Sequence, residues 1–145
     1  MPANQTISTA DRDTRLPLWV KGTAALGATL LAAGAVIAWL KPGMLISPHE
    51  QVTEGVRVYA GYLTSRNAAL ALMLVAGLTL RARAILAYML VLVGSIQIFD
   101  ACIDAVEGRW QLIPGIGALG IIFLLAAATV FRSLRREAGV ARDAE

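Results

Sequence analysis

Four apolar stretches, 18–40, 58–80, 84–106 and 112–131, contain between them only four charged side chains, Lys21, Arg66, Asp100 and Asp104. A helix needs about 20 residues to cross a hydrocarbon layer of about 30 Å, and each stretch is long enough. Of the 145 residues, 57% are hydrophobic and 16% charged, against about 25% charged in a soluble domain. This excludes a disordered chain and argues against a soluble globule. The length fits one domain. The expected fold is therefore all-α: a polytopic membrane protein built as an antiparallel bundle of four transmembrane helices, with residues 1–17 and 132–145 as tails. The first stretch exceeds the roughly 7–15 apolar residues of a secretory signal and reads as a retained helix.

The basic residues orient the bundle. Lys and Arg collect on the cytoplasmic side of a membrane. Arg12, Arg15 and Lys21 precede or begin the first span, Arg81 and Arg83 occupy the second turn, and Arg132, Arg135, Arg136 and Arg142 follow the fourth span. Those nine of the thirteen basic residues share one side if there are four spans; Lys41, Arg57 and Arg109 fall on the other. Both termini are thus expected in the cytoplasm, in an inner or plasma membrane. Trp19, Trp39 and Trp110 fall at span ends, where interfacial anchors belong. The net charge of +3 has this membrane explanation, and no nucleic-acid partner is expected. The bilayer is the expected partner, with a lipid-soluble small molecule, a second copy or another membrane protein as further candidates.

In the longer connection, Ser47-Pro48-His49-Glu50 has the pattern of a helix start: a capping serine, a proline at the first helical position and a glutamate three residues on. Two readings fit: a short helix from Pro48, lying on the outer surface or merging into the second span with Gly55 as a place for a bend, or a solvated loop with one helical turn.

Ionisable residues inside spans mark function or a buried pair. In the third span Gln97, Asp100 and Asp104, with Glu107 at its end, are spaced three, four and three apart and share one helix face. Leu92, Ile96, Phe99, Ile103 and Val106 form a lipid face, and Ala87, Gly94, Ala101 and Ala105 a small-residue face suited to close helix contact. In the second span Tyr59, Tyr62 and Arg66 share a face, with Asn67 beside them. Folding the two spans back on each other about Ala82 puts Arg66 near the depth of Asp100, Tyr62 near Asp104 and Arg57 near Glu107. An Arg66–Asp100 ion pair is expected, with Asp104, Tyr62, Asn67 and Gln97 nearby, in the outer half of the bundle over a dry floor.

Three readings fit that cluster. It locks two helices together, it binds a lipid-soluble molecule or a membrane partner, or it is an acid/base enzyme site. In the last, Asp100, Asp104 and Arg66 are the catalytic candidates, and Tyr59, Tyr62, Asn67 and Gln97 line the substrate. Two carboxylates held in different environments can take opposite proton-transfer roles. The set is similar in residue types, not in fold, to soluble limonene-type epoxide hydrolases, where an arginine bridges two aspartates; membrane-embedded terpene cyclases also use buried acids. The substrate class would be an apolar epoxide or terpenoid.

Gly61-xxx-Ser65-xxx-Ala69 and Gly34-xxx-Ala38 read as helix contacts, either within the chain or between subunits. Pro114, with Gly115, Gly117 and Gly120, reads as a helix entry with proline in the first turn, the alternative being a kink that widens the outer pocket. The lone cysteine, Cys102, reads as a small packing residue. With His49 as the single histidine, no His/Cys metal site and no cofactor are expected.

Tyr59 to about Phe131 resembles the small four-helix membrane proteins grouped as domain of unknown function 4267. The matching features are Arg66 followed by Asn67-Ala68-Ala69-Leu70-Ala71-Leu72, a basic turn, and a helix running from Asp100 to Gly108. An alanine stands where the family usually has a glycine shortly after the arginine. The resemblance implies four spans and marks Arg66 and Asp100; it implies no activity.

Overall fold

A computed structural model describes residues 16–46 and 50–142. Four α-helices make up the fold: α1 (Leu18–Leu40), α2 (Glu54–Thr79), α3 (Arg83–Val106) and α4 (Ile113–Arg142), with a short 3-10 turn at Pro42–Leu45. No strand occurs among the described residues. Helices α1, α3 and α4 are long and apolar enough to cross a membrane. Helix α2 is long but less apolar, because Glu54, Arg57, Arg66 and Asn67 interrupt it.

Local chemistry sets the helix ends. α1 starts behind Pro17, whose carbonyl accepts from the amides of Val20 and Lys21. α2 is capped by Thr53, whose Oγ1 accepts from Val56 N at 3.3 Å and so satisfies one of the free amides of the first turn. Ser47, Pro48 and His49 lie outside the described residues, while residues 50–53 are not helical; the threonine cap, not the serine–proline pattern, begins the helix. Pro114 is the second residue of α4, where no intrahelical amide bond is lost.

α4 continues to Arg142, well past the expected span end at Phe131. Arg83 at the start of α3 holds the extension: its Nη1 donates to Glu137 Oε1 at 2.6 Å and its Nη2 to Ser133 Oγ at 2.7 Å.

The helices associate as two intimate pairs, α1 with α2 and α3 with α4, and the pairs meet along a sparser seam. Small residues make the pairs close. Across α3 and α4, a Cβ on Gly94 would stand 3.0 Å from the Gly120 carbonyl oxygen, so backbone meets backbone there. Ala87 and Ala101 of the same stripe are buried, as expected of it. Thr64 Oγ1 donates to the Ala35 carbonyl at 3.2 Å and ties α2 to α1. Below the polar level lies an apolar core that includes Val20, Leu74, Leu86, Leu90, Phe123 and Val130.

Candidate functional site

The seam between the two pairs is not filled. A cavity of about 200 Å³ opens there, lined from all four helices: Gly27, Leu30 and Leu31 of α1; Leu63, Arg66, Asn67 and Leu70 of α2; Val93, Ile96, Gln97 and Asp100 of α3; Leu119 and Phe123 of α4. Its depth follows from side-chain size. Phe123 fills the space beside Gly27 closely enough that a Cβ on the glycine would stand 2.7 Å from the ring. Gly34 has no side chain to fill the space beside Asn67, and the Asn67 Nδ2 lies 3.1 Å from where its Cβ would be.

Asn67 is 8% exposed. Its Oδ1 is buried and accepts no hydrogen bond within the described residues. Arg66 and Asp100 stand beside it. Arg66 Nη2 lies 4.0 Å from Asp100 Oδ2, and their side chains are 46% and 38% exposed. The expected pair is present as a loose contact, with both groups keeping hydrogen-bonding capacity free. Gln97 lines the same cavity and is half-buried.

Asp104 is held elsewhere. Its side chain is 8% exposed, and Arg109 Nη2 lies 2.7 Å from its Oδ1. The same Nη2 lies 2.5 Å from Glu107 Oε2. The backbone makes this geometry. Gly108 takes φ +75°, the Gly108 amide bonds to the Ala105 carbonyl, and the Arg109 amide bonds to the Asp104 carbonyl at 2.8 Å. This paired closure of a helix C-terminus needs the left-handed residue that glycine supplies, and it folds Arg109 back over Asp104.

Several expectations are corrected. Asp104 does not stand free beside the Arg66–Asp100 pair; it has its own arginine, Arg109. Tyr59 and Tyr62 are 62% and 74% exposed and do not line the cavity. The reason is that α2 packs mainly on α1, so the face carrying the tyrosines turns outward and only Arg66 at its edge reaches α3. Glu107 has Arg109 as its partner. Cys102 is exposed and is not a core residue. Within the chain Gly61, Ser65 and Ala69 make no close helix contact, which removes the internal form of that expectation: Gly61 has nothing near its Cβ position, and Ser65 and Ala69 are exposed.

The arginine that sequence reasoning left out of the cluster is Arg109. The signal for it was the run Asp104-xxx-Gly108-Arg109, a helix end with its glycine. The contributions of Gly27, Leu31 and Phe123 carried no polar signal at all.

No family model, no curated protein and no solved structure matches the chain.

Proposed function

We propose that this is an integral membrane protein whose four helices all span the bilayer, antiparallel and with cytoplasmic termini, and that the cavity between them binds a lipid-soluble molecule through a polar group. Three helices meet the requirements of a span on their own. The alternation of basic residues asks for α2 as the fourth, and the resemblance to domain of unknown function 4267 fits the same number.

One observation carries the binding reading: Asn67, whose Oδ1 is buried without a partner, is a lining residue of a cavity shared by four helices. Leaving such an acceptor unsatisfied costs about 1–3 kcal/mol, and folded proteins retain few of them. A ligand hydroxyl or amide N–H would satisfy it. A cavity of about 150 Å³ accommodates a benzene ring, so the space of about 200 Å³ accepts one ring or a short chain with its polar substituent. Leu30, Leu31, Val93, Leu119 and Phe123 supply an apolar wall, and the loosely paired Arg66 and Asp100 offer a donor and an acceptor at the same level. Arg109 holds Asp104 at 2.7 Å, so the acid/base reading has no unpaired second carboxylate beside Asp100, and binding is the better-supported reading.

The test is thermal unfolding of delipidated protein in neutral detergent, with a medium-chain alcohol or the alkane of equal length added. The alcohol should raise the midpoint of the wild type more than the alkane does, and Asn67→Leu should abolish the difference. Equal shifts from alcohol and alkane in the wild type would sink the polar-recognition reading.

A further inference from the structure

The cytoplasm-facing end of the α3–α4 pair holds a second concavity that the four-helix cavity does not use. Tyr88, Ala128, Phe131, Arg132 and Arg135 line a groove of about 480 Å³. Tyr88 and Phe131 meet edge to face, with ring centroids 5.2 Å apart. They form an apolar floor. From Ala128 to Arg135 the helix climbs about 10 Å, so the floor and the arginines sit at successive depths.

The charges there are unbalanced. Arg132 and Arg135 are exposed and pair with no carboxylate among the described residues. The nearby acid, Glu137, is already held by Arg83 at 2.6 Å. That same clamp keeps the end of α4 helical and seated on α3, so the arginines are carried on a fixed surface.

We infer that this groove binds an anionic glycerophospholipid, with its phosphate between Arg132 and Arg135 and an acyl chain laid over Ala128, Phe131 and Tyr88. Guanidinium groups suit phosphate oxygens because they donate two parallel hydrogen bonds. Basic pockets between helices at the cytoplasmic surface recognise lipid headgroups in this manner. A soluble phosphate would leave the aromatic floor uncovered, and a zwitterionic lipid would bring a cation against two arginines. The inference rests on the membrane-spanning reading and is independent of what the four-helix cavity holds.

The experiment is native mass spectrometry of the full chain, extracted from membranes in neutral detergent and equilibrated with equal amounts of phosphatidylglycerol and phosphatidylcholine of identical chains. The wild type should retain phosphatidylglycerol preferentially. Each arginine near the surface contributes about 1 kcal/mol, so Arg132→Gln with Arg135→Gln should reduce that retention about thirtyfold. Arg81→Gln with Arg136→Gln removes the same net charge and should leave it largely intact. Equal retention of the two lipids by the wild type overturns the inference, whatever the variants do. So does an equal loss in both double variants, which would mean a diffuse charge effect. Binding of glycerol phosphate as tight as that of the lipid would assign the groove to a soluble anion and also overturn it. A chain recovered from the aqueous fraction without detergent would instead refute the spanning reading beneath it.

Discussion

Arg109 Nη2 lies 2.7 Å from Asp104 Oδ1, and the two residues are joined a second time by the hydrogen bond from the Arg109 amide to the Asp104 carbonyl. The side-chain pair therefore depends on the backbone closure at Gly108. Asp104 is nearly buried, whereas the arginine is half exposed, so the carboxylate carries most of the desolvation burden. Removing the arginine leaves that charge uncompensated.

Arg109→Met should destabilise the protein by about 2–3 kcal/mol, read by thermal unfolding in neutral detergent. Asp104→Asn should cost less, because an amide oxygen still accepts a hydrogen bond. The double variant Arg109→Met with Asp104→Leu should recover part of the loss, since no lone charge remains. A double variant less stable than Arg109→Met alone would contradict this account of the pair.

Gly108→Ala should cost about 1 kcal/mol, because a residue with a Cβ is strained at positive φ. Its effect should be less than additive with Arg109→Met, since both act through the same closure. A double-mutant cycle measures this directly, and full additivity would separate the backbone motif from the ion pair.

At Gly27, alanine would bring a Cβ within 2.7 Å of the Phe123 ring. Gly27→Ala should therefore destabilise by about 1–3 kcal/mol, and adding Phe123→Leu should relieve part of the clash. Gly61 sits in α2 with open space at its Cβ position. Gly61→Ala should be neutral or stabilising by about 0.5–1 kcal/mol, through helix propensity alone. The contrast between these two glycine substitutions checks the helix pairing.

The helices were legible in the sequence because their signals are long and redundant. The helix Leu18–Leu40 coincides with the first apolar stretch, α3 starts one residue before the third, α2 starts four residues before the second, and α4 runs on past the fourth. The pairing of helices was not legible. Short turns say which helices follow one another, but the choice of α1 as the main partner of α2 rests on where Ala35 meets Thr64 and Gly34 faces Asn67, contacts between residues about 30 positions apart. That choice turned Tyr59 and Tyr62 outward and left Arg66 only a long reach to Asp100. Asn67 stood out as a polar residue in a span; that its oxygen would lack a partner depended on the three-dimensional fit around Gly34.

Topology has its own test. In a Cys102→Ser background, Glu50→Cys and Gln111→Cys should both react with a membrane-impermeant maleimide added outside cells, and Gly139→Cys should react only after permeabilisation. Four spans put the first two positions on the same side. If α2 lay on the surface and only three helices crossed, Glu50→Cys and Gln111→Cys would react from opposite sides.

Mass spectrometry of organic extracts shows whether the cavity around Asn67 holds a lipid-soluble molecule with a polar group. Wild type and Asn67→Leu would be purified in parallel from the same membranes in neutral detergent. The wild-type extract should contain a near-stoichiometric small lipophile carrying a hydroxyl or amide N–H, depleted in the variant at equal yield and helicity. Extracts with the same lipophilic content from both proteins would contradict it.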